Sequence, residues 1–153
     1  MIGGPQPVAQ AESLAVLIAR SRRALYTAAS RRLEEVGESM LVWQLLNRLR
    51  DDGALPQGEL AFRVGQHPAG ASRLLDQLER DGQVRRTRDR RDRRKLKVEL
   101  TDKARRRLAR TDPFVHAAAE SVLAPLDEAE RRTLQRLLEK LVGRERLRRR
   151  RRG

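Results

Sequence analysis

The chain has 153 residues, a length that suits one compact domain. Apolar residues make up 39%, enough for a packed core, yet 37% are charged and the formal net charge is +14, a balance that implies a polyanionic partner, either nucleic acid or an acidic membrane surface. Cysteine is absent, which excludes disulfides, thiolate catalysis, Cys-ligated zinc and cysteine-based redox sensing.

The opening Met-Ile-Gly-Gly-Pro-Gln lacks the basic region of a secretory signal. The apolar run Leu14 to Ala19 is too short to cross a bilayer, so a cytoplasmic protein with no membrane partner is expected. Leu14, Leu17, Ile18, Leu25 and Ala28/Ala29 recur at helical spacing and predict a long amphipathic helix over 9–35, ended by Gly37. Val42, Leu45, Leu46 and Leu49 mark a second helix near 39–51, followed by the turn Asp51-Asp52-Gly53. A short helix is expected at 57–65, with Pro56 in its first turn. A fourth runs over 68–81 with Ala71, Leu74/Leu75 and Leu78 as its core face, stopped at Asp81-Gly82.

The period then changes from helical to alternating. Val84 begins one extended run, and Leu96, Val98 and Leu100 alternate with polar residues in another. With Asp89 to Arg94 as a polar loop, this predicts a β-hairpin with a charged tip. Thr101-Asp102 suits the start of a helix over 102–120, which Asp112-Pro113 should kink or divide. Asp127 and Glu130 have the spacing of a capping box opening a last helix, with Leu134, Leu137, Leu138, Leu141 and Val142 on one face. Residues 144–153 lack apolar periodicity and read as a basic extension.

The surplus charge is concentrated in two places. From Val84 to Lys97 stand nine basic residues against two acidic ones, a net of +7. From Gly143 onward stand seven Arg and one Glu, a net of +6. The rest of the chain is close to neutral, so these stretches form a focused anion-binding surface. Three helices, the last two joined by a short turn and followed by a hairpin, make a winged helix-turn-helix in a mainly α fold, suited to duplex DNA. The second helix of the pair offers its N-terminal half to base edges in the major groove. The hairpin reaches the backbone or the minor groove, where the negative potential favours arginine.

The segments Glu59-Leu60-Ala61, Ser72-Arg73-Leu74-Leu75-Asp76-Gln77-Leu78-Glu79-Arg80-Asp81-Gly82, Asp89-Arg90-Arg91-Asp92-Arg93-Arg94 and Val98-Glu99-Leu100-Thr101 resemble the MarR (multiple antibiotic resistance regulator) family. Two positions depart from its pattern. Gln83 stands where a bulky apolar residue is usual, and Ala104 stands where the pattern Leu-Thr-x-x-Gly places glycine. The resemblance implies one domain over 1–143, with the winged helix-turn-helix at about 37–101, dimerisation helices at about 9–35 and 102–143, and the extension 144–153 outside it. It further implies a homodimeric transcriptional regulator, usually a repressor, that reads a pseudo-palindromic operator. Many such regulators release DNA when a small phenolic or anionic effector binds; others sense oxidants through cysteine, a route closed here.

Candidate DNA contacts follow. Ser72, Arg73 and Gln77 avoid the core stripe of their helix, and Arg can pair with guanine, Gln with adenine, Ser with a phosphate or base; ordinary exposed helix residues are the alternative. On the hairpin, Asp92-x-Arg94 resembles the family's wing motif, in which the Asp orients an Arg that enters the minor groove. A surface ion pair is the bland alternative. Arg90, Arg91 and Arg93 read as phosphate contacts and Arg86 as a further candidate. His116, with Tyr26, Trp43 or Arg22, lines a family-type effector pocket, or each simply packs. No catalytic motif stands out, and two His without Cys leave no expected zinc site, metal or cofactor. The competing function is a nonspecific architectural DNA binder, which lacks a regulator's preference for one inverted repeat over random duplex at physiological salt.

Overall fold

The computed structural model describes the backbone of residues 6–89 and 92–150, and within them six helices and three short strands. Helix α1 spans Gln6–Glu34. It ends where Gly37 takes φ +72°, a left-handed conformation that glycine adopts without a Cβ clash; the Glu38 N–H then returns to the Leu33 carbonyl at 2.8 Å. Helix α2 spans Met40–Asp52, its first turn capped by the Ser39 hydroxyl, and buries Val42, Leu45, Leu46 and Leu49 as the periodicity requires.

Helix α3 (Gln57–Arg63) and helix α4 (Pro68–Arg80) form the helix-turn-helix. The His67 imidazole accepts the Ala69 N–H at 3.3 Å and so caps α4. Leu60 and Ala61 from α3 and Ala71, Leu75 and Leu78 from α4 close the core between them. Before α3 lies strand β1, Leu55–Pro56, which the sequence reading omitted. Pro56 was expected inside the helix; it precedes it instead, on the edge of the sheet, where a residue without an N–H is tolerated.

Strands β2 (Val84–Arg88) and β3 (Leu96–Leu100) form the hairpin, with Val84 opposite Leu100 and Arg88 opposite Leu96. The sheet order is β1-β3-β2, all antiparallel, with Leu55 opposite Val98. Val84 and Val98 enter the core with Leu46, Leu75 and Leu108. The turn into β2 uses Gly82 at φ +68°, and the Thr101 hydroxyl donates to the Gly82 and Gln83 carbonyls, sealing the hairpin base.

Helix α5, Asp102–Leu123, runs through Pro113 without dividing, contrary to one of the two expected outcomes. It packs along α1 more extensively than any other pair of elements meet, and Asp112 is tied to α2, so tertiary packing holds it across the proline. The Arg107 guanidinium grips the Glu38 carboxylate at 2.6 and 3.0 Å, fixing the α1–α2 corner to α5. Helix α6, Glu128–Arg150, opens with the expected capping box: Asp127 and Glu130 exchange backbone-to-carboxylate bonds, each 2.9 Å. It does not stop at Gly143, since the following residues are mostly good helix formers. The basic extension is therefore helical to Arg150, and 151–153 lie outside the described residues. Leu14, Leu17 and Ile18 on α1, and Leu137, Leu138 and Leu141 on α6, remain uncovered in the single chain.

Candidate nucleic-acid interface

Helix α4 buries one side and presents the other. Ala69, Gly70, Arg73 and Gln77 are exposed, and Ser72 is half-buried. The Arg73 guanidinium has no hydrogen bond or ion pair among the described residues and is free to meet a base edge or phosphate. Gln77 is outward as expected but tied to its own helix: its amide donates to Asp81 at 3.0 Å and accepts from Arg80 at 2.7 Å.

The hairpin tip is built by backbone. The Asp89 N–H donates to the Lys95 carbonyl and the Lys95 N–H to the Asp92 carbonyl, both 2.9 Å. Lys97 pairs with Asp89 at 2.9 Å across the hairpin. Asp92 accepts the backbone N–H of Arg94 at 3.1 Å and lies 3.9 Å from the Lys95 ammonium. The expectation that Asp92 orients the Arg94 guanidinium is thereby corrected. The carboxylate folds the turn that carries Arg94, and the side chains of Arg93 and Arg94 stay exposed without partners among the described residues. Arg90 and Arg91 lie outside the described residues.

Arg86 differs most from its expected role. Its side chain is 13% exposed and is spent inside the fold on Gln57, Ser72, Asp76 and Glu79. Partial burial alone would lower its pKa; the bonds to Asp76 and Glu79 outweigh this and hold the guanidinium above its usual range. It is not an outward phosphate contact. Arg88, which the sequence reading passed over, is exposed on the same strand face two residues further on.

The four effector-pocket residues divide. The Trp43 indole N–H donates to Asp112 at 3.0 Å, and Arg50 grips the same carboxylate, bracing α2 against α5. Arg22, Tyr26 and His116 are exposed and are bonded neither to Trp43 nor to one another. A shallow groove of about 450 Å³ on α1, lined by Arg20, Arg23, Ala24, Thr27, Ala28 and Arg31, includes none of the four. Among the described residues no group of three His, Cys, Asp or Glu side chains converges as a metal site, and no helix is long and apolar enough to span a membrane.

A model of the MarR family matches residues 39–96, covering α2 through the hairpin. The transcriptional repressor MprA of Escherichia coli K12 is 25% identical over 109 residues, 71% of this chain; the chain spans 62% of that relative's length. Among solved structures, wild-type MarR from E. coli in its apo form superposes with a TM-score of 0.74 at 22% identity, covering 84% of this chain and 95% of that one. The Mycobacterium tuberculosis MarR family protein Rv2887, in complex with p-aminosalicylic acid, is 30% identical with a TM-score of 0.72, covering 84% and 97%.

Proposed function

The chain belongs to the MarR family, and on that footing we propose that it is a transcriptional regulator, a repressor, that binds a pseudo-palindromic operator in duplex DNA as a homodimer. The observation that carries this reading is the pairing of unengaged arginines on two projecting elements: Arg73 on α4, and Arg93 and Arg94 on the hairpin tip. Arg73, with Ser72 and Gln77, would read the major groove, while Arg94 enters the minor groove and Arg90, Arg91 and Arg93 hold phosphates. Gln77 would exchange its bonds to Arg80 and Asp81 for a base edge.

The uncovered leucines of α1 and α6 support the homodimer, because large apolar side chains left in water on the first and last helices are best satisfied by a second copy. Two copies would then set half-sites about one helical turn apart. A phenolic or anionic effector would act at the Trp43–Asp112–Arg50 brace, with Arg22, Tyr26 and His116 as further candidates, because a carboxylate competing with Asp112 would loosen the contact between α2 and α5. A member of the same family, Rv2887, is named in complex with p-aminosalicylic acid. The working place of such a protein is the cytoplasm, on the nucleoid.

Sequencing the genomic fragments retained by purified protein, then titrating the recovered duplex against random duplex at physiological salt, tests the reading. A regulator prefers its site by about 10³-fold or more. Equal affinity for both duplexes would instead support the nonspecific architectural alternative.

A further inference from the structure

Asp76 and Glu79 sit on the side of α4 that faces the hairpin, on the helix proposed to approach phosphates. Arg86 answers both: Nη1 donates to Asp76 Oδ1 and, at 3.1 Å, to Glu79 Oε2. Nη2 donates to the Ser72 carbonyl at 3.2 Å and Nε to Gln57 Oε1 at 3.0 Å. The Arg86 backbone N–H donates to the other Glu79 oxygen at 2.9 Å. Four of the five guanidinium N–H donors are therefore engaged. One side chain joins the first residue of α3, three positions of α4 and strand β2. Beyond it the hairpin leaves the core, and Arg88 and residues 93–96 are exposed.

We propose that Arg86 is a positioning residue for DNA discrimination, resting on the DNA-binding reading above. It fixes the offset between the hairpin tip and α4, so that Arg73 and Arg94 arrive at their grooves together. Without it the hairpin samples many offsets. Only the fraction at the productive offset binds, and the apparent dissociation constant rises in inverse proportion to that fraction. Lysine does not replace it, because a point charge cannot span Asp76, Glu79, Gln57 and the Ser72 carbonyl together.

The test uses Arg86→Met, Arg86→Lys and the double variant Asp76→Asn/Glu79→Gln. The chain has no cysteine, so Arg93→Cys takes a single nitroxide that reports hairpin motion in DNA-free protein. Unlabelled variants are titrated with the selected operator and with random duplex. In Arg86→Met, with helical circular dichroism retained, the nitroxide is expected to gain mobility and operator affinity to fall about ten-fold, the loss of one good base-pair contact. Affinity for random duplex should change far less, and Arg86→Lys should recover only part of the loss. Wild-type mobility and preference in folded Arg86→Met would overturn the proposal, as would full recovery in Arg86→Lys. Equal losses on both duplexes with a flatter salt slope would also overturn it, making Arg86 a phosphate ligand. Should the Arg86 variants fail to fold, the Asp76→Asn/Glu79→Gln protein, which keeps the side-chain shapes, carries the same readouts. A wild-type protein without any preferred duplex sinks the DNA reading alone, and nitroxide mobility still decides whether Arg86 holds the hairpin.

Discussion

Replacing Gln83 with leucine should stabilise the protein. Gln83 is 6% exposed, and its Oε1 is buried without a hydrogen-bond partner among the described residues. Its structural contribution comes from the backbone: the N–H donates to the Leu78 carbonyl at 2.7 Å, and the carbonyl accepts from Thr101 N–H at 3.1 Å and Oγ1 at 2.9 Å. None of these bonds depends on the side chain. A buried acceptor left unsatisfied costs about 1–3 kcal/mol, and leucine of similar size would fill the space with apolar surface instead. Allowing for imperfect fit, a net gain of about 1–2 kcal/mol is expected. For a chain of this length that raises Tm by about 2–8 °C. The assay is thermal denaturation of both proteins at one fixed protomer concentration, since the proposed dimerisation would make Tm depend on concentration. Gln83→Glu, which puts a charge in the same place, should melt lower than the wild type. If Gln83→Leu melts at or below the wild-type temperature, the side-chain amide is satisfied and the reasoning fails. Operator affinity should not move, because the side chain is buried.

Three further outcomes are expected. Arg94→Ala should weaken operator binding about ten-fold and reduce the logarithmic salt slope by about one, whereas Arg106→Ala, at an exposed position on α5, should do neither; equal losses in gel-shift titrations would count against the hairpin assignment. Deleting residues 144–153 removes a net charge of +6 and should lower random-duplex affinity and flatten its salt dependence; an unchanged slope makes the extension a bystander. Arg107→Ala strands the Glu38 carboxylate, which is about one-fifth exposed, and should cost about 1–3 kcal/mol in chemical denaturation; an unchanged midpoint would show that the α1–α2 corner is held by other contacts.

The helices were legible because each carries its signal locally. The Thr101 and Asp127 caps and the apolar stripes of α2 and α4 lie within a few residues of what they determine. Strand β1 was not legible. Two residues have no measurable period, and they become a strand only because β3 offers an edge more than forty positions away. Division of α5 at Pro113 fails for a related reason: the proline's local penalty is real, but the packing of α5 on α1 and the Asp112 bonds to α2 keep one helix, and no window around residue 113 contains them. The site follows the same division. Charge clustering exposed the hairpin, and the apolar stripe of α4 left Arg73 outside the core. Arg86 looked like one more surface arginine because its partners Gln57, Ser72, Asp76 and Glu79 come from elements that meet it only after folding.

The distribution of burial also says how the two halves of the molecule must relate. The winged module closes its core together with Ala104 and Leu108 of α5, with Leu45, Leu60, Leu75 and Val98 each at most 1% exposed. Among the described residues, the face of α1 at Leu14, Leu17 and Ile18 and that of α6 from Leu137 to Val142 do not: Leu14 is 60% exposed and Leu141 57%. Helix α6 is held chiefly at its first turns, where Arg131 bonds the Leu123 and Leu126 carbonyls and pairs with Glu120. An amphipathic helix gains most of its stability from packing its apolar face. In the proposed homodimer its persistence beyond that anchor would therefore depend on the second copy. Formation of the proposed dimer and ordering of α6 would then be one event, whereas the proposed DNA-reading module is complete in a single chain. Dilution or competition at the dimer face should accordingly melt α6 first and leave α4 and the hairpin folded.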